Sequence, residues 1–310
     1  MDQSTNSIAL VSPKFFGFNK ETAKSNQFSD SSIADKKNKN QSINIKELAL
    51  KEFSNFKKHI SKKVHITELN PPVNGLDGIF PNNWIVSFQD KTMDIFSMAD
   101  PSRRIEKTEE NIALLSKQFQ IKNDFTSFET QNLFLEGTGS LVLDRQHKIA
   151  YACISPRTSI DLATLWANKR DFKLITFMAN ASNKPIYHTN IVMFLGSTLC
   201  FLGTESIIDS PRLEEQITHT HQIIKLSSSQ VNKFCANVIE LIDFDGNHFL
   251  AMSSTAFNNL ETWQLDIIYK SGLYIEQFSI PTIETVGGGS LRCMVSVSYT
   301  HLTLPTRIFV

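Results

Sequence analysis

The chain carries no excess charge of either sign: 31 Lys and Arg balance 31 Asp and Glu over 310 residues. With no net field to draw in a polyanion, neither nucleic acid nor an anionic membrane surface is expected as the main partner. Long hydrophobic runs are missing too. The most apolar stretch, residues 191–202, is interrupted by Gly196 and Ser197 and is too short to span a bilayer. Met1-Asp2-Gln3-Ser4-Thr5-Asn6 lacks the positively charged start of a signal peptide, so a cytoplasmic location is expected. Cysteine is scarce, and Cys153, Cys200, Cys235 and Cys293 stand far apart without Cys-x-x-Cys or Cys/His ligand spacing. That pattern suggests neither a disulfide framework nor a zinc site.

What is present is enough apolar material, 41% of the chain, to build one large domain or two small ones. Ile8-Ala9-Leu10-Val11 reads as a short strand, and residues 25–44, rich in Ser, Asp, Lys and Asn, read as a loop. Residues 45–63 place Leu48, Leu50, Phe53, Phe56 and Ile60 among lysines and read as an amphipathic helix, with a strand at Val64-His65-Ile66-Thr67. Further strands are expected at 85–88, near Leu133, at 141–143 and at 173–177, with a hydrophobic segment at 149–153 and helices over 159–168 and near Leu213, the latter started by Asp209-Ser210-Pro211. The same grammar returns from Val238 through Leu260 to a strand at Leu273. About five blocks of strand, strand, helix, strand result, each on the order of 60 residues, slightly above the usual range of repeat arrays. The end departs from this: Val297-Ser298-Tyr299-Thr300-His301-Leu302-Thr303-Leu304-Pro305-Thr306 resembles a translated sequencing adaptor. The expected organisation is therefore one domain over 1–296 and a non-native tail over 297–310, with the native C-terminus missing.

Three segments carry chemistry. Gly287-Gly288-Gly289 precede Cys293; three glycines together cost backbone entropy and add no packing, so they mark a sharp turn or a close approach. Cys293 is accordingly expected to be presented, whereas Cys153, Cys200 and Cys235 sit among apolar neighbours and read as small core residues. Phe134-Leu135-Glu136-Gly137-Thr138-Gly139-Ser140 places a carboxylate against a Gly-x-Gly turn, and Tyr187-His188-Thr189-Asn190 places a histidine ahead of an apolar run. Carboxylate, histidine and cysteine in this order fit activated-thiol catalysis. Taken singly, each has an ordinary alternative: a solvated turn residue, a core histidine, a loop cysteine.

Together with Val11-Ser12-Pro13, residues 16–23 and Phe80-Pro81-Asn82-Asn83-Trp84, these motifs resemble the guanidine-modifying enzymes of the pentein superfamily, nearest to an arginine-deiminase-related group of citrulline utilization hydrolases. The resemblance implies an α/β fold, a five-bladed pseudo-symmetric α/β propeller. It implies Cys293 as nucleophile, His188 as general acid and base, and Glu136 as the carboxylate that orients it. Asn83 falls where arginine deiminases carry the acid that grips the guanidinium, and Asn190 where they carry an aspartate; two lost charges favour a ureido over a guanidinium carbon. Asn82 and Asp77 are further loop candidates for substrate contact. Arg292 either clamps a substrate carboxylate or points away on the opposite face of its strand, the latter favoured by alternation.

The expected activity is hydrolysis of a C–N bond in citrulline, arginine or methylated arginine, citrulline to ornithine being favoured, without cofactor or metal; a homo-oligomer is left open. Deimination of arginine or methylarginine and amidino transfer are rivals within the enzymes. A binding protein on the same scaffold is the rival outside them.

Overall fold

The computed structural model describes residues 1–30, 44–181 and 184–299. Its strands fall into five sheets built on one plan. A short strand turns back antiparallel on a second, a helix crosses over, and a third strand pairs parallel with the second, as a parallel connection requires. Ile85–Ser87, Thr92–Ile95, the helix Glu109–Ser116 and Gln120–Asp124 make one unit. Leu141–Asp144, Ile149–Cys153, the helix Ile160–Arg170 and Lys173–Ala181 make the next. Met193–Leu195, Leu199–Leu202, the helix Ser210–Thr218 and Gln222–Lys225 follow. Ile239–Ile242, His248–Ser253, the helix Thr262–Lys270 and Tyr274–Phe278 repeat the pattern again.

The remaining sheet joins the two ends of the chain. Ser7–Val11 pairs parallel with His65–Leu69 across the helix Ile45–Ile60, and antiparallel with Ser296–Val297. The first strands of the units lie innermost: Met193–Leu195 is wholly buried, whereas the third strand Gln120–Asp124 is largely exposed. Neighbouring first strands touch, Leu141–Asp144 beside Met193–Leu195 and Ser296–Val297 beside Ile85–Ser87.

Local chemistry explains the helix starts. Asn44 accepts a hydrogen bond from the Glu47 amide and Ser159 from that of Leu162, each satisfying an otherwise unpaired first-turn donor. The helix Ser210–Thr218 begins with Pro211 in its first turn, as expected there. Cys153, Cys200 and Cys235 are buried among apolar neighbours in one cluster.

Three expectations are corrected. The helix at 45–60 buries Ala49, Phe53, Phe56 and Ile60, spaced four, three and four apart, so Leu48 falls off that stripe and is 41% exposed. No strand forms near Leu133: a 3₁₀ turn, Thr126–Gln131, ends on Asn132 in the left-handed region, and the third strand of that unit lies earlier, at Gln120–Asp124. Cys293 is not presented to solvent; it is 4% exposed. The helix Pro281–Gly287 turns at Gly288 with φ of +61°, and the glycines carry the chain into the interior, not out of it.

Most of the loop expected at 25–44, residues 31–43, lies outside the described residues, as do residues 300–310 of the expected tail. Val297 pairs with Ile8, the Ser298 amide donates to the Ser7 carbonyl, and Tyr299 is buried, so the described part of that tail completes the first sheet. Among the described residues no helix is long and apolar enough to cross a membrane.

Candidate active site

Four of the innermost strands are entered through a short helical turn: Pro81–Asn83, Gly137–Ser140, Thr189–Val192 and Leu291–Met294. Asn82 and Asn83 lie in the first of these, Glu136 and His188 cap the second and third, and Cys293 lies in the fourth. The repeat thus brings residues far apart in sequence to equivalent places at one end of the inner strands. Two glycines make the turns fit. Gly137 has φ of +44°, and a Cβ there would lie 2.4 Å from the Asn82 carbonyl oxygen. A Cβ on Gly139 would lie 2.3 Å from Asn83 Nδ2 and 2.8 Å from the His188 ring.

His188 and Glu136 are both buried, with Nε2 of the imidazole 2.7 Å from Oε2 of the carboxylate. The other carboxylate oxygen accepts from the Ala99 amide at 2.9 Å, and Arg157 Nη1 lies 3.7 Å from Oε2. Burial opposes ionisation of Glu136, but Arg157, the His188 hydrogen bond and Arg103 outweigh it and hold the carboxyl well below the usual carboxylate range. Burial, aided by Arg157 and Arg103 against the pull of Glu136, lowers His188 to about 4. An ionised carboxylate facing a neutral ring fixes the ring proton on Nε2 and leaves Nδ1 as a base.

Cys293 Sγ accepts from Asn237 Nδ2 at 3.3 Å and from Asn190 Nδ2 at 3.6 Å. Burial raises the thiol above its ordinary value, while Asn237, the Ser290 backbone, Arg292 and Asn190 pull the other way. Burial thus works against the charged form of both Cys293 and His188. Asn237 also donates to the Asn190 carbonyl at 2.9 Å, so one amide ties the cysteine turn to the histidine turn.

Cys293 and His188 line one small cavity together with Asn83, Asp77, Arg103 and Arg157. Arg103 forms a two-point ion pair with Glu106 and donates from Nη1 to Asn83 Oδ1 at 2.8 Å. Because a guanidinium only donates, this contact fixes which end of the Asn83 amide is oxygen. Nδ2 of Asn83 is left buried without a partner among the described residues. Asp77 Oδ2 accepts from Asn19 and Thr22 at 2.8 and 3.0 Å.

Not every expected residue reaches this cavity. Asn82 is fully buried beside it, its amide unpartnered among the described residues, and serves the site through its backbone oxygen, which accepts from Thr138. Arg292 faces a different cavity and donates to the Val295 carbonyl at 2.8 Å; it lies on the helical turn Leu291–Met294 and not on a strand, so the alternation expected of it does not apply. Asn190 borders that second cavity while its amide touches the thiol. Sequence reasoning missed Arg103, Arg157 and Asn237. Asn237 had a signal, since it precedes the inner strand Ile239–Ile242 much as the other site residues precede theirs. The two arginines had none in their local sequence. Among the described residues no group of three or more His, Cys, Asp or Glu could hold a metal ion.

A family model described as N,N dimethylarginine dimethylhydrolase, eukaryotic, matches residues 12–299. No curated protein matches the chain by sequence. Among solved structures, the N-terminal domain of ArgZ, an arginine dihydrolase from the ornithine–ammonia cycle in cyanobacteria, superposes with a TM-score of 0.74 at 14% identity, covering 94% of this chain and 97% of that one. AgrE in complex with L-arginine gives 0.72 at 12% identity, over 95% of this chain and 40% of that one. A dimethylarginine dimethylaminohydrolase adduct with S-methyl-L-thiocitrulline gives 0.65 at 13% identity, over 95% of this chain and all of that one. At such identities the superpositions establish a shared fold and nothing finer.

Proposed function

The chain belongs to the N,N-dimethylarginine dimethylhydrolase family, within the pentein superfamily, and on that premise we propose that it is a cysteine hydrolase of a guanidino or ureido amino acid, with citrulline to ornithine as the favoured reaction. In this proposal the five sheets close into a propeller, the catalytic domain runs past the boundary expected at 296 to include Val297–Tyr299, and the protein works in the cytoplasm without a cofactor.

The observation that carries the substrate preference is Asn83. Its oxygen is committed to Arg103, so it offers the cavity an N–H and no acceptor. An N–H suits the carbonyl oxygen of a ureido group, whereas a guanidinium presents only donors. Asn190, in place of an acid, adds no negative charge. One observation favours the second reading, hydrolysis of arginine or methylated arginine: Asp77 is a carboxylate on the cavity wall, and the family model and the arginine-bound neighbours carry such substrates in their descriptions.

The chemistry follows from the parts. A urea carbon is a poor electrophile and needs a thiolate, a proton for the leaving nitrogen, and a base for water. His188 takes the Cys293 proton as sulfur attacks the ureido carbon. The bond from that carbon to the terminal nitrogen breaks, and His188 returns the proton so that ammonia leaves. Water then gives a proton to His188 and its hydroxyl to the carbon; the S–C bond breaks, the thiol is restored, and the resulting carbamate loses carbon dioxide to leave ornithine. Glu136 keeps Nε2 protonated and supports the imidazolium while it exists.

Amino-acid analysis with citrulline, arginine and methylated arginines tests this against a Cys293→Ser variant. Ornithine and ammonia from citrulline, lost in the variant, are expected. Citrulline formed from arginine or methylarginine would move the assignment to the second reading, and no product from any substrate would point to transfer or binding.

A further inference from the structure

Buried arginines in this fold come with acids. Arg103 pairs with Glu106, Arg157 with Asp100 and Glu136, and Arg170 with Asp94. Arg145, which is buried, and Arg292, which is half-buried, do not: among the described residues neither has a carboxylate within ion-pair distance. Arg145 is 4% exposed, held between the rings of Phe88 and Tyr299 with its guanidinium carbon 5.0 and 4.6 Å from their centroids. Among the described residues its guanidinium makes one hydrogen bond, from Nη1 to the Ser87 carbonyl at 3.2 Å. That of Arg292 likewise makes one, to Val295.

Both guanidiniums line the same narrow cavity, between the inner strands and on the other side of the Cys293 turn from the substrate cavity. A guanidinium has five N–H donors and does not lose its charge in a protein interior, so two such groups facing one cavity leave most of their donors without a partner among the described residues. Glu240 also borders this space, but its oxygens are taken by Ser4, by Ser197 and by His248, whose imidazole lies 2.7 Å away. Gln3, bonded through its side chain to the Leu143 and Leu195 carbonyls and the Arg145 amide, fills part of the cavity and leaves a volume of about 60 Å³, room for a small ion and its waters.

We propose that this inner cavity is a binding site for a small monovalent inorganic anion of the halide class, held between Arg145 and Arg292. The site is independent of which substrate Cys293 attacks. Bromide reads it out directly. Crystals of the whole chain grown in bromide in place of chloride are expected to show an anomalous peak between the two guanidiniums. In solution, bromide exchanged for gluconate at constant ionic strength is expected to raise the melting temperature to a plateau in wild type and not in Arg145→Met. A cavity without a bromide peak overturns the proposal, and so does a peak without saturable stabilisation, which would mark an adventitious ion only. Because the crystallographic arm uses wild-type protein, a variant that fails to fold leaves it decisive.

Discussion

His188 is held neutral by burial, at about 4 against an ordinary value near 6.5, so its stabilising effect has a definite sign. The unfolded chain binds a proton on this residue as pH falls below 6.5, while the folded chain resists until about 4, so stability drains away across that window. The lowered carboxyl of Glu136 acts in the same direction further down, its contribution being full above the usual carboxylate value and lost as pH falls towards its folded one. Urea unfolding should therefore show a loss of about 3 kcal/mol from His188 between pH 7 and 4. A His188→Gln variant should lose less over the same interval, and an equal slope would contradict the assignment. Asn237 supports the thiol through a hydrogen bond worth roughly 1 kcal/mol. Asn237→Ala should slow alkylation of Cys293 about five-fold at fixed pH and move its pH profile to higher pH; a slower rate without that movement would mean a purely structural role. Glu136, His188 and Cys293 were legible because each sits in a short motif. Arg157 was not, because its meaning lies in Asp100 and Glu136, which only the fold brings to it.

At the scale of the element, the turns that enter the inner strands decide whether the site exists. Gly137 combines a positive φ with backbone contact to Asn82, so no side chain can be accommodated by a rotamer change. Gly137→Ala should cost about 1–3 kcal/mol of stability, read as a lower melting temperature. Gly139→Ala meets side chains instead, Asn83 and His188, and should lower kcat more than stability. The sequence showed these glycines as a turn signal but not what they turn against. Helices were legible from spacing and capping residues, though an apolar count placed Leu48 inside where the geometry of the stripe selects Ala49. The glycines before Cys293 misled for a related reason: flexibility in sequence says that a backbone bends or approaches closely, not on which side of the protein it does so.

Across the whole molecule, the first sheet is completed only when residues from both ends meet, since Ser7–Val11 lies between His65–Leu69 and Ser296–Val297. Tyr299 adds a hydrogen bond to the Gln3 carbonyl at 2.9 Å and a ring against Arg145. A chain ending at residue 296 should be less stable by several kcal/mol, from the loss of a buried aromatic and a strand edge, and so melt well below one ending at 299; equal melting temperatures would place the domain boundary at 296. The fivefold plan was readable because each unit repeats the same alternation of short strands, turns and an amphipathic helix, whereas the way the ends join leaves no trace in local pattern. The central claim is that Cys293 bonds covalently to the substrate carbon. Intact-protein mass spectrometry of acid-quenched turnover, with citrulline and arginine supplied in parallel, tests it most directly. The account predicts a mass increase localised to Cys293 and absent from Cys293→Ser. Turnover without any adduct, or an adduct and turnover that survive in the variant, would contradict it.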